Sequence, residues 1–184
     1  MDKFNNKYRI PSTRLQHWDY ASAGSYFLTI CTKNRKHFFG EIENGEMSLT
    51  ALGEAVQNEW LNTPAIRPDM HLELGEFVVM PNHFHGVLGI GNNAFNAAVN
   101  KNSYTGAKPA NKFGPQSKNL GSILRGFKSA VTTFARKNNI EFDWQARFHD
   151  HIIKDYRECL RISNYIINNI TNWKDDRFYR GGPS

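Results

Sequence analysis

The stretch Phe77-Val-Val-Met-Pro-Asn-His83-Phe84-His85-Gly86-Val-Leu constrains this chain more than any other. Apolar and β-branched residues on both sides of Met80-Pro81-Asn82 predict two strands, Leu72–Met80 and His83–Ile90. Successive strand side chains alternate faces, so His83 and His85 project from one face while Phe84 points into the other layer. Two imidazoles side by side at the start of a strand are a ready pair of metal ligands, and they call for a third protein group and open positions. By itself the pair suits two satisfied surface histidines equally well.

The rest of the chain supplies the frame for those strands. Tyr26–Thr32 is rich in β-branched and aromatic residues and reads as a strand. Asn44-Gly45, inside Gly40–Leu49, signals a β-hairpin. Thr50 offers an N-cap to a helix carrying Leu52, Ala55, Val56 and Trp60 and ending before Pro64. From Gly121 to Lys137, the residues Leu120, Ile123, Leu124, Phe127, Val131 and Phe134 form one apolar stripe at helical spacing. Arg125, Lys128, Ser129, Thr132 and Arg136 make a second face that is basic and rich in hydroxyls. A short strand over Phe148–Lys154 precedes a helix from Asp155 to about Ile170, with Glu158 at the acidic position of a capping box. The order β, hairpin, α, β, β, α, β, α predicts an α+β fold, an antiparallel sheet backed by helices in a ferredoxin-like sandwich.

Length and charge agree with a single domain. The chain has 184 residues, 40% of them hydrophobic and 13% aromatic, enough for one packed core. No apolar run approaches the length of a membrane span, and the first residues lack the apolar core of a signal peptide. Two cysteines, Cys31 and Cys159, are too few for a disulfide scaffold or a zinc ribbon, and a cytoplasmic setting is expected. The net charge of +6 is unevenly spread. Residues 19–90 hold nine acidic residues against four basic, whereas 91–118 hold four lysines and no acid, and 119–184 hold eleven basic against seven acidic. Basic termini and a basic second half point to a polyanion partner. Residues 91–119, with seven asparagines, three glycines and two prolines, are expected to form a flexible polar insertion within the domain, and the end of the chain a basic tail.

A second constellation lies on the last predicted helix, Tyr165-Ile-Ile-Asn168-Asn169. Residues four apart share a helical face, so Tyr165 and Asn169 are expected as neighbours. An amide oxygen suits Mg²⁺ or Mn²⁺ as a third ligand, and the phenol would face whatever the metal holds. From spacing alone, Tyr165 as an amphipathic residue at the edge of the core is the favoured reading.

Six segments in order resemble the HUH-type single-tyrosine transposases, and among them the REP-associated tyrosine transposase branch. They are Tyr8–Tyr20, Tyr26–Arg35, Val79-Met-Pro-Asn-His-Phe-His85, Leu120–Val131, Trp144–Ile153 and Tyr165–Asn169, which together run over nearly the whole chain. The resemblance implies that His83, His85 and Asn169 hold a divalent metal, Mg²⁺ or Mn²⁺, and that Tyr165 is the nucleophile. It implies a nuclease that nicks and rejoins single-stranded or hairpin DNA through a 5′-phosphotyrosine link. Family members are monomers or homodimers, and the sequence leaves both open. Arg14, Arg125 and Lys128 are the basic residues expected at the DNA. Two other readings fit the same scaffold: a catalytically idle nucleic-acid-binding protein, and a metal-dependent nuclease that uses water.

Overall fold

A computed structural model describes residues 18–97 and 117–179, together with the backbone of Lys3–Phe4 and Lys7–Tyr8. Arg14, most of the Tyr8–Tyr20 segment, the centre of the polar insertion and the last residues of the tail lie outside the described residues.

Four strands make the central sheet: β1 (Gly24–Cys31), β4 (Leu72–Met80), β5 (His83–Ile90) and β6 (His149–Ile153). Their spatial order is β4-β5-β1-β6 with every pairing antiparallel. Between β1 and β4 lie the hairpin β2 (Gly40–Glu43) and β3 (Glu46–Leu49) and helix α1 (Ala51–Leu61). Helix α2 (Leu120–Lys137) joins β5 to β6, and helix α3 (Tyr156–Ile167) follows β6. Strands β1, β4, β5 and β6 with α1 and α2 form the βαββαβ ferredoxin-like core, so the expected fold class is the observed one. Among the described residues, no helix is long and apolar enough to cross a membrane.

Capping chemistry sets the helix starts. Thr50 Oγ1 accepts from the Gly53 N–H at 3.1 Å, and Asn119 and Ser122 cap each other reciprocally at the head of α2. At α3, Asp155 accepts from the Glu158 N–H at 2.9 Å, but Glu158 does not complete the expected box. Its carboxylate turns to the Lys154 N–H and to His151 Nε2, because β6 brings that imidazole to 2.8 Å.

Strand alternation gives the sheet two buried faces. Tyr26, Leu28, Ile30, Phe84 and Leu88 point to one side, where Leu52, Val56 and Trp60 of α1 and the α2 stripe close the main core. A β-bulge between Leu74 and Phe77 moves the strand by one residue, so Leu72, Leu74, Phe77 and Val79 all face this core. Gly86 sits where Trp60 lies against the sheet, and a Cβ there would stand 2.9 Å from the indole. Cys31, Val78, Met80 and Val87 point to the opposite side, which is covered by Ile162 and Ile166 of α3 and by Trp173 and Phe178 beyond it. His83 and His85 lie on this second face, as their spacing predicts.

Tyr26 ties the start of β1 to the preceding turn. Its hydroxyl donates to the Ser22 carbonyl at 3.0 Å and accepts from the Trp18 indole N–H at 3.1 Å. Burial pushes its pKa up to about 12. Tyr26→Phe leaves two buried groups unpaired and should cost about 1–3 kcal/mol in denaturant unfolding. The phenol is held neutral in the fold, so its contribution is complete below the ordinary pKa near 10 and is lost as pH rises through about 12. The parent protein should therefore lose up to about 1.4 kcal/mol per pH unit across that interval through this group, and Tyr26→Phe should lack that component.

Candidate active site

His83 and His85 are 0% and 1% exposed, with ring centroids 4.6 Å apart. Each ring is steered by a second group. The amide nitrogen of Asn82 donates to the carbonyls of Arg35 and Phe178 at 3.2 and 3.0 Å, which turns its Oδ1 toward His83. That oxygen can only accept, so His83 carries its proton on Nδ1 (2.9 Å) and presents a bare Nε2. Nε2 is buried and meets no hydrogen-bonding partner among the described residues. His85 Nδ1 lies 2.9 Å from the Thr29 hydroxyl, which can donate or accept and so serves either tautomer. Burial drives the pKa of His83 well below the usual histidine value and lowers that of His85 to about 3, so both rings are neutral at physiological pH.

Tyr165 reaches this pair from α3. Its hydroxyl is 3.2 Å from His85 Nε2, and its ring stands edge-on to Phe27 with centroids 6.1 Å apart. The residue remains 42% exposed, so the phenol is open to a large substrate while its oxygen touches the buried His85. Burial, with the nearby Asp176 carboxylate second, raises its pKa above the ordinary phenol value.

Asn169 also arrives, by a route that differs from the expectation. Helix α3 ends at Ile167 rather than near Ile170, and Asn169 lies in the turn that follows. The Asn168 amide adds a bond at 2.7 Å to the Asn164 carbonyl that its backbone N–H already reaches, and the Asn169 N–H turns to the Ile166 carbonyl at 3.2 Å, which tightens the last turn and ends the α-helix. Asn169 is 3% exposed, and its Oδ1 is a second buried atom without a hydrogen-bonding partner among the described residues.

The sequence reading missed Asp176. A 3-10 turn at Trp173–Asp175 swings the chain back across the second sheet face. Asp176 Oδ1 accepts from the Phe178 N–H at 2.6 Å, which aims Oδ2 at the site. Oδ2 accepts from the Tyr165 hydroxyl at 3.3 Å and from the Asn169 amide at 3.5 Å. Ligand atoms of His83, His85 and Asp176 all lie within 4.8 Å of one another. The only sequence signal was Asp175-Asp176 in an otherwise basic end, and nothing periodic connects it with the histidines.

Arg125 and Lys128 lie on α2, across the sheet from this cluster. Lys128 Nζ donates to the Gln145 carbonyl at 2.9 Å, and burial lowers its pKa. With Trp144 and Phe148 they border a groove of about 460 Å³.

No family model matches the chain. The solved structure of a REP-associated tyrosine transposase bound to a REP hairpin superimposes with a TM-score of 0.58, at 17% identity, over 89% of this chain and 74% of that one. The fold is therefore that of the HUH-type tyrosine transposases. An uncharacterized protein of Haemophilus influenzae is 41% identical over 172 residues, 91% of this chain and 92% of its own length. This chain belongs to the same family as that Haemophilus protein.

Proposed function

We propose that this protein is a transposase-type nuclease that nicks and rejoins single-stranded or hairpin DNA through a 5′-phosphotyrosine on Tyr165. One observation carries the reading: a half-exposed phenol oxygen sits 3.2 Å from a buried imidazole and 3.3 Å from a carboxylate. The solved transposase of the same fold binds a REP hairpin, which supports DNA as the partner.

The residues fit a divalent metal. His83 and His85 offer neutral nitrogens and Asn169 and Asp176 offer oxygens, and two of the four buried side-chain atoms without a partner among the described residues, His83 Nε2 and Asn169 Oδ1, belong to this set. A mixed nitrogen and oxygen set without thiolate suits Mg²⁺ or Mn²⁺. When bound, such an ion supplies Lewis-acid polarisation of the scissile phosphate and fixes its orientation. Tyr165 supplies the nucleophilic oxygen. As the new O–P bond forms and the bond to the 3′-oxygen breaks, the phenol proton leaves along the hydrogen bond to Asp176 Oδ2. The freed 3′-oxygen takes up a proton. The phosphotyrosine link keeps the bond energy, so a second 3′-OH can reverse the step.

The test is incubation with Mn²⁺ and labelled single-stranded oligonucleotides from the gene's own flanks, read on a denaturing gel. The expected result is a protein–DNA adduct that disappears in excess EDTA. Cleavage without an adduct would support the water-using nuclease, and binding without cleavage the idle nucleic-acid-binding protein.

Asn82 gives a separate check on the metal set. Asn82→Ala removes the acceptor that holds His83 in its Nδ1–H tautomer. Loss of such orienting partners typically weakens metal binding about 10–100-fold. Calorimetric titration with Mn²⁺ should show that loss, and nitrogen NMR of the imidazole should show mixed tautomers. Unchanged affinity would remove His83 from the ligand set.

A further inference from the structure

Two recesses of about 400 Å³ each open beside one another on the second sheet face, and His85 and Tyr165 line the second of them. They share His149 of β6 and Arg177 of the returning chain as a common wall. The first recess holds Arg35, Arg147 and Arg177, with Thr29, the partner of His85, in its wall. Among the described residues, no carboxylate lines it. Arg35 and Arg177 both lie against the Phe178 ring, at 4.0 and 4.5 Å from its centroid. The ring thus holds both guanidinium groups by cation–π contact at this recess. The second recess runs from Tyr165 and His85 to His151 and Arg161.

A strained segment borders the first recess. Arg147 has φ 74°, a left-handed conformation that an arginine adopts only against a backbone preference. Lys128 Nζ holds the loop by bonding the Gln145 carbonyl at 2.9 Å, with the Arg147 carbonyl at 3.5 Å. Strain retained beside a reactive centre fits a loop placed for a ligand.

We propose that the two adjoining recesses are the track for single-stranded DNA, with Arg161 and Arg177 holding the strand beside Tyr165 and Arg35 holding it further along, in the first recess. The proposal rests on the reading of Tyr165 as the nucleophile and adds where the flanking strand lies. Arginine suits this role because its fork meets two phosphate oxygens at once. The track also places the basic residues that contact substrate on the second sheet face, instead of on the α2 face that holds Arg125.

The experiment measures binding without chemistry. A fluorescent oligodeoxythymidylate of about twelve nucleotides is titrated in EDTA with protein carrying Tyr165→Phe, and fluorescence anisotropy is followed across salt concentration. Each lost phosphate contact should lower the log–log salt slope by about 0.7. The added pair Arg35→Gln and Arg177→Gln should therefore lower it by about 1.4, and Arg161→Gln by about 0.7. Unchanged slopes in all three substitutions would overturn the track. So would a loss confined to Arg125→Gln, or equal losses with a duplex of the same length. If the arginine variants bind normally while the parent still forms its adduct, the track is wrong and the tyrosine chemistry stands. If the slopes fall as expected and the parent never forms an adduct, the track stands and the chemistry is wrong.

Discussion

Tyr165→Phe should bind metal and DNA as the parent does and form no covalent adduct. The substitution removes one oxygen and keeps the ring against Phe27 and His85, so packing and fold are retained. Its hydroxyl bonds lie at the half-exposed edge of the site, where water can replace them. Strand transfer should fall on the order of 10³-fold or more, because no other group takes over a missing covalent nucleophile. Tyr156 stands at the far end of α3 and is largely exposed, and Tyr179 packs edge-on to Trp173. Linkage of the variant to a 5′ end of cleaved DNA would remove α3 from the catalytic role. Cleavage at the parent rate with no linkage would assign the attack to water.

Metal binding and cleavage should both be lost in His83→Gln. Glutamine keeps most of the volume among Trp173 and Phe178, whose rings lie 5.9 and 4.6 Å from the imidazole. It cannot present an sp² nitrogen lone pair at the position of Nε2. Mn²⁺ affinity should drop at least about 100-fold, and DNA cleavage on the order of 10³-fold, while anisotropy binding in EDTA is unchanged. His85→Gln should behave likewise and also lose the Tyr165 contact. Full cleavage by His83→Gln in Mn²⁺ would show that the histidine is structural.

The parts of the site that sequence makes legible are those governed by short periods. A period of two set His83 and His85 on one face of β5 and sent Phe84 to the ring of Trp60, 4.8 Å away. A period near 3.6 marked the buried stripe of α2 from Leu120 to Val131. Tyr165 and Asn169 were placed together by helical spacing, and they do meet around Asp176, although the helix ends before Asn169. The error was local: the last turn tightened to an i→i−3 bond at Asn169, which periodicity does not register.

The sequence by itself determined the strand and helix pattern, the caps at Thr50 and Asp155, and the histidine pair with its tyrosine. Tertiary structure alone decided that Asp176 closes the site and that Arg35, Arg147, Arg177 and Arg161 line two adjoining recesses beside it. Asn82 shows why. Its amide joins Arg35, 47 residues earlier, to Phe178, 96 residues later, and so carries both arginine-bearing segments to the histidines. Contacts across such separations follow from how strands pair and where the chain turns back over the sheet, and no local residue pattern encodes them.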